Sequence, residues 1–202
     1  MNVLINSNAE KIPCSVGILT FNSEKTLRRA LESVKDFSDI IISDGGSTDG
    51  TLEIAREFGA TIIEQYSKEN PGPEPTHPIT DFSLEHNQIL KVASEDWYFR
   101  LDSDEYISAG LCAEVAAVCA QETPEYYAYN IPIAIQSTDG SVTYRSWKQI
   151  YQIRFFNLQT GGCFQRKIHE RFVFDHDAYS VGTLKGLWYV PISKPSFEMY
   201  KR

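Results

Sequence analysis

The sequence has few cysteines, an excess of negative charge and no long apolar run. The spacing of its four cysteines matches neither a zinc site nor a redox pair, so we expect a reduced chain without a disulfide framework. Lysine and arginine number 19 against 27 aspartates and glutamates, which argues against a protein that binds nucleic acid. No apolar run approaches the ~20 residues of a membrane-spanning helix, and residues 1–11 lack the pattern of a signal peptide. These absences predict a cytoplasmic protein.

An ordinary hydrophobic content and an alternation of strands and helices predict a globular α/β chain. Hydrophobic residues make up 42% of the sequence, close to the average of soluble proteins. Four apolar runs are typical of buried strands, at residues 13–20, 40–42, 61–63 and 97–101. Helical spacing of apolar residues separates these runs, as in parallel sheets that bind ligands at the carboxyl ends of their strands. We therefore expect a nucleotide-binding half over residues 12–123.

The pattern changes after Pro124 to short, aromatic, β-rich segments. Residues 138–140 and 160–162, Thr-Asp-Gly and Thr-Gly-Gly, are typical of hairpin turns between such strands. We expect residues 124–202 to form a mixed or antiparallel, acceptor-side half of one domain over residues 1–202. The proline-rich residues 70–80 are expected to form a loop.

Asp102 and Asp104 form the clearest chemical motif, at the end of the fourth predicted strand. Two carboxylates one residue apart repel each other unless a cation or hydrogen bonds compensate, and oxygen ligands of this kind suit Mg²⁺ or Mn²⁺. A solvated acidic turn could use the same residues. The position at a strand end favours the metal site.

A glycine-rich turn follows the second predicted strand, over residues 44–51. Glycine allows the backbone to approach a ligand or to adopt positive φ. The segment lacks the Gly-Lys-Ser/Thr of a P-loop and the glycine spacing of a dinucleotide-binding turn, so neither site is predicted.

Several segments, in order, resemble family 2 glycosyltransferases of the branch that includes lipopolysaccharide-core β-glucosyltransferases. They are residues 18–22, 31–34, 41–51, 53–60, 101–105, 154–156 and 168–170. The resemblance spans about residues 14–174. It implies the GT-A fold, an α/β fold with a mostly parallel central sheet and a smaller mixed or antiparallel C-terminal part.

The resemblance also implies an inverting transfer of a sugar from a UDP- or GDP-sugar donor. The acceptor would be a carbohydrate or a lipid-linked glycan of the cell envelope, of the lipopolysaccharide type. Such a protein could contact the inner face of the membrane peripherally. Two alternatives stay open: a sugar-phosphate nucleotidyltransferase, and a glycosyltransferase-like domain kept for binding alone.

Carried over by position, four residues would bind the nucleotide. Thr20 and Asn22 would line the nucleotide pocket, and Asp44 would hydrogen-bond the base. Asp102 would lie near the ribose and the diphosphate.

The metal and the catalytic base follow from the same resemblance. Asp104 would bind Mg²⁺ or Mn²⁺, with His169 as a further ligand. Glu170 is the candidate general base for the acceptor hydroxyl, and Glu105 is the alternative. Together, four carboxylates predict an acidic cleft that takes the donor with its cation: Asp44, Asp102, Asp104 and Glu170.

Two residues depart from the family pattern. His86 stands where relatives often carry arginine or lysine, which makes a phosphate contact there doubtful. Arg100 lies inside a strand where an apolar residue is expected, and a nearby carboxylate would be its natural partner.

Overall fold

The fold consists of a large sheet with helices packed on it and a separate small hairpin. A computed structural model describes residues 11–65, 79, 81–137, 140–143 and 151–191. These residues form, in chain order, β1 (Ile12–Thr20), α1 (Glu24–Val34), β2 (Phe37–Asp44), α2 (Thr51–Glu57), β3 (Thr61–Glu64), α3 (Phe82–Val92), β4 (Trp97–Asp102), β5 (Tyr106–Ile107), α4 (Ala109–Cys119), β6 (Ala128–Gln136), β7 (Val142–Thr143), β8 (Tyr151–Asn157), β9 (Cys163–Gln165), β10 (Arg171–Val173), β11 (Val181–Thr183) and β12 (Trp188–Pro191).

The large sheet changes from parallel to mixed pairing at β4. Its order is β3-β2-β1-β4-β8-β6-β12-β5, and β7 and β11 also pair with β6. The first four strands in this order are parallel, whereas β8 pairs antiparallel with both β4 and β6. Strands β9 and β10 form the separate antiparallel hairpin. The expected α/β fold with a parallel part and a mixed part is confirmed.

Apolar spacing explains how the first helix packs on this sheet. Leu27, Ala30, Leu31 and Val34 recur at the spacing of one helical face, and all four side chains are fully buried. The β1 strand beneath is buried on both faces, which is typical of a parallel strand covered by helices.

Two turn predictions have different outcomes. The Thr160-Gly161-Gly162 hairpin prediction is wrong, because this segment connects β8 to β9, which lie in different sheets. Gly161 has a φ of +62° after a short 3₁₀ helix, so it ends a helical turn and does not join paired strands. The predicted loop at residues 70–80 lies outside the described residues except for Ile79, as do residues 138 and 139 of the other predicted hairpin turn.

In the described part of the chain, no helix combines the length and apolar character needed to cross a membrane.

The contact between Gly186 and α4 yields a stability prediction. A Cβ on Gly186 would lie 2.3 Å from Leu111 Cα and 2.4 Å from Leu111 N, and helix backbone cannot move aside cheaply. Gly186→Ala should therefore lower the free energy of unfolding by about 1–3 kcal/mol, measured by urea denaturation. Gly110→Ala is the matched control in α4, because its Cβ would meet only Ser108 Oγ at 3.8 Å. Equal stability of the two variants would contradict the prediction.

Candidate active site

Three strand ends meet at one edge of the sheet. In parallel register, Thr20 at the end of β1 lies opposite Asp44 at the end of β2. Leu19 lies opposite Asp102 at the end of β4. The register brings three of the residues predicted to bind nucleotide to the edge where parallel sheets bind ligands.

Asp44 is buried and shapes the glycine turn that follows it. Its Oδ1 accepts hydrogen bonds from the hydroxyls of Thr20 and Ser47 at 2.8 and 2.6 Å. Its Oδ2 accepts from the backbone N–H groups of Gly46 and Ser47, both at 2.8 Å. Gly46 has a φ of +92°, which glycine adopts without steric cost. All four bonds are internal, so the Asp44 carboxylate holds this loop in shape.

Asn22 connects the loop after β1 to the same turn. Its Oδ1 accepts a hydrogen bond from the N–H of Thr48 at 2.9 Å, and its own N–H donates to Ser47 Oγ at 2.8 Å. Asn22 has a φ of +47°, a region that asparagine tolerates better than most residues. Both loops at the strand ends are therefore braced against each other.

Asp102 lies between two arginines. Its Oδ1 is 3.3 Å from Arg100 Nη2 and 3.3 Å from Arg154 Nη1, and its Oδ2 is 3.4 Å from Arg154 Nη2. Burial acts to raise the pKa of Asp102, but the charges of Arg154 and Arg100 outweigh it and hold the pKa well below the usual range. Asp102 is thus ionised and neutralised by side chains of the same chain.

Asp104 and Glu105 follow in the same turn with different surroundings. Asp104 is exposed, and desolvation followed by the charge of Asp102 raises the pKa of its carboxyl. Glu105 is buried, lies 3.4 Å from Arg154 Nη1, and accepts the N–H of Asp102 at 3.1 Å. Burial raises the pKa of Glu105 to about 8. The alternative base therefore lies beneath the turn and does not contribute to the cavity lining described below.

Glu170 lies between β9 and β10, where its carboxylate pairs with Arg100 and lies near His86. Its carboxylate forms an ion pair with Arg100 and lies 3.7 Å from His86 Nε2. His86 is fully buried against the ring of Phe164, and burial, followed by the charge of Arg100, sets its pKa well below the usual value. The imidazole is therefore neutral, and neither of its nitrogens has a hydrogen-bond partner among the described residues. His86 does not contribute to the cavity lining.

Arg154 is a central residue of the site. Its role was not predicted from the sequence, although residues 154–156 contributed to the family resemblance. It is buried in β8, pairs with Asp102 and Glu105, and stacks over the ring of Trp188 at 3.9 Å. The sequence did carry a signal, since an arginine amid the aromatic residues of a strand needs a buried partner. For Arg100, the same reasoning predicted a carboxylate partner, and the structure has two.

A cavity of about 1240 Å³ opens between these elements. The predicted site residues that line it are Thr20, Asp102, His169 and Glu170, and those that do not are Asn22, Asp44 and Asp104. The expectation of a cleft lined by four carboxylates is therefore wrong for the described residues. Asp44 is turned into its own loop, and Asp104 faces solvent beside the cavity.

The turn after β4 offers oxygen ligands for a divalent ion but not a complete site. Among the described residues, no three His, Cys, Asp or Glu side chains lie close enough together to hold a metal, so His169 does not complete a set with Asp102 and Asp104. Mg²⁺ and Mn²⁺ commonly use one or two carboxylates, with substrate phosphates and water as the other ligands. The turn fits such an ion when a diphosphate supplies the remaining oxygens.

Three known proteins are informative for comparison. The SPbeta prophage-derived glycosyltransferase SunS of Bacillus subtilis is 33% identical over 116 residues, which is 55% of this chain and 25% of SunS. Residues 1–349 of S. aureus TarS, solved with UDP-GlcNAc, superpose with a TM-score of 0.64 at 19% identity, over 96% of this chain and 62% of that one. The mannosyltransferase PcManGT of Pyrobaculum calidifontis, solved with GDP-Man and Mn²⁺, gives a TM-score of 0.58 at 14% identity, over 95% of this chain and 60% of that one.

The chain thus spans a quarter of the length of SunS and about three fifths of each solved chain. The two structural similarities confirm the GT-A fold. The family model described as glycosyl transferase family 2 matches residues 15–178, which is most of the chain and confirms the resemblance seen in the sequence. This chain belongs to glycosyl transferase family 2.

Proposed function

We propose that this chain transfers a sugar from a nucleotide-diphosphate sugar to a hydroxyl of a carbohydrate or lipid-linked acceptor, with inversion at the sugar carbon. The observation that carries this proposal is the cavity, which has Thr20 and Asp102 at the strand ends and Glu170 on the β9–β10 hairpin. A donor at the strand ends would place its sugar between the diphosphate and Glu170. TarS with UDP-GlcNAc and PcManGT with GDP-Man support a UDP- or GDP-sugar as the donor.

In this proposal, the braced loops at the strand ends form the nucleotide pocket. Thr20 and Asp102 face the cavity directly. Asn22 and Asp44 would act on the nucleotide indirectly, through the loop that they hold in shape. A direct hydrogen bond from the base to Asp44 would have to replace one of the four internal hydrogen bonds of that carboxylate.

Asp104 would hold Mg²⁺ or Mn²⁺ together with the donor diphosphate. The ion supplies charge neutralisation of the departing nucleoside diphosphate, which removes the need for a general acid at that oxygen. Asp104 suits this role because it is exposed on the turn next to Ser103, which lines the cavity.

Glu170 would act as the general base. As the acceptor oxygen bonds to the sugar carbon, the acceptor O–H bond breaks and its proton passes to the Glu170 carboxylate, while the nucleoside diphosphate departs from the opposite face. The ion pair with Arg100 holds the carboxylate in place for this transfer. Glu105 is less suited, because it does not line the cavity, whereas Glu170 does. The family resemblance alone supports the cell envelope as the source of the acceptor.

A thermal-shift panel of UDP-, GDP-, ADP- and CMP-sugars, with and without Mn²⁺, tests the donor and the metal. We expect one nucleotide to raise the melting temperature in a metal-dependent manner, and Asp104→Ala to remove that dependence. Asp96→Ala is the matched control, since Asp96 is exposed at the start of β4, at the opposite end of the strand. Absence of a shift with every nucleotide would overturn the proposal, and a metal-dependent shift that survives Asp104→Ala would exclude Asp104 as the ligand.

A further inference from the structure

The described lining of the cavity is positively charged, although the whole protein is acidic. The charged side chains in that lining are Arg100, Arg154, Arg166, Arg171, Asp102 and Glu170. Four arginines against two carboxylates leave a formal excess of two positive charges, whereas the chain as a whole has a net charge of −8. A concentration of positive charge in one cavity of an acidic protein attracts an anion.

Two of these arginines are already neutralised. Arg100 and Arg154 pair with Asp102 and Glu170, and Arg154 also pairs with Glu105. Arg166 and Arg171 are exposed, and within the described part of the chain no ion pair includes either of them. The excess positive charge of the cavity therefore belongs to the β9–β10 hairpin.

The loop that carries Arg166 has a defined shape. Arg166 and His169 have φ values of +76° and +56°, in the left-handed region that non-glycine residues seldom adopt and that is common at functional sites. The loop is fastened to α3, because the N–H of Phe82 donates to the carbonyl oxygen of Lys167 at 3.0 Å. The Asn87 side chain adds two hydrogen bonds to the backbone of Phe164, at 2.8 and 2.9 Å. The hairpin is thus preorganised for binding.

We propose that Arg166 and Arg171 form an anion subsite for the acceptor, which carries a phosphate or a carboxylate near the hydroxyl that is glycosylated. This inference rests on the proposed function and names the chemical class of its acceptor. Guanidinium groups bind both kinds of oxyanion with paired hydrogen bonds. The hairpin also carries Glu170, so an acceptor hydroxyl at the base lies beside Arg171. The donor diphosphate would take its counter-charge from the divalent ion proposed at the Asp104 turn.

Binding of small anionic sugars tests the subsite. The probes are glucose 6-phosphate, glucuronate and neutral glucose, titrated calorimetrically with Mg²⁺ and saturating UDP or GDP, whichever shifts the melting temperature. We expect Arg166→Gln and Arg171→Gln each to weaken binding of at least one anionic probe about tenfold, with glucose unaffected. Lys167→Gln is the matched control, because Lys167 lies on the same loop but does not line the cavity, and it should change the Kd less than about twofold.

The outcomes separate the subsite from the proposed function. A response to glucose 6-phosphate alone identifies a phosphorylated acceptor, and a response to glucuronate alone identifies an acidic sugar. One result would overturn the subsite and leave the proposed function intact. In that result, neither anionic probe binds beside the nucleotide, and the arginine variants weaken binding of the nucleotide itself. Equal effects of the Lys167 and arginine variants would also overturn it. A wild-type chain that binds no nucleoside diphosphate would refute both proposals.

Discussion

Glu170→Gln is expected to lower sugar transfer by at least about a hundredfold, while binding of the nucleotide sugar changes little. The amide cannot accept the acceptor proton, yet its oxygen can still accept a hydrogen bond from Arg100, which forms the ion pair in the wild-type chain. The proposed donor contacts at Thr20 and Asp102 lie on the strand ends and do not include Glu170. The measurement is release of nucleoside diphosphate from the donor selected by thermal shift, in the presence of candidate acceptors.

Glu105→Gln is the matched control for this loss. Glu105 is the alternative candidate for the base, but unlike Glu170 it does not line the cavity. We expect this variant to retain most of its turnover. The melting temperatures of the Glu105 and Glu170 variants check that both are folded. If the Glu170 variant kept full activity and the Glu105 variant lost its activity, Glu105 and not Glu170 would be the base.

Arg154→Met is expected to lower the free energy of unfolding by about 3–5 kcal/mol. The methionine fills much of the same volume, but it removes one of the two arginines that pair with Asp102 and removes the partner of Glu105. It also ends the stacking over Trp188. The Asp102 carboxylate, which is left with Arg100 alone, carries most of this penalty. Urea denaturation measures the loss, and Asp102→Asn in the same chain should recover part of it.

Arg28→Met is the control for the loss of an ion pair as such. Its guanidinium lies 2.6 Å from Glu57, closer than any contact of Arg154 with a carboxylate, but both partners are about half exposed. Exposed pairs typically contribute less than about 1 kcal/mol. If the two variants lost the same stability, burial of the Arg154 pairs would not be the cause.

The local parts of this fold could be predicted from sequence because their signals are local. The buried face of α1 follows from the spacing of its apolar residues, and the parallel strands follow from short apolar runs between helices. Short strands such as β9 and β11 were missed, since three residues are too few to show a period of two.

The charge of the cavity could not be predicted, because it depends on pairing between distant strands. The sequence shows Asp102 next to other carboxylates, which suggests an acidic cleft. The antiparallel pairing of β8 with β4 then brings Arg154 from 52 residues further along the chain to within 3.3 Å of Asp102. Arg166 and Arg171 likewise reach the cavity only through the placement of the β9–β10 hairpin.

The pairing of β8 with β4 also limits where the chain can be cut to make fragments or chimeras. Residues 12–123 look self-contained as a pattern of strands and helices, but β4 needs β8 on its free side. A fragment ending near residue 123 would leave the apolar β4, with Trp97, Tyr98 and Phe99, as an open edge that invites self-association. Chimeras that exchange acceptor specificity should therefore keep β4, β6 and β8 from one parent and exchange the β9–β10 hairpin alone.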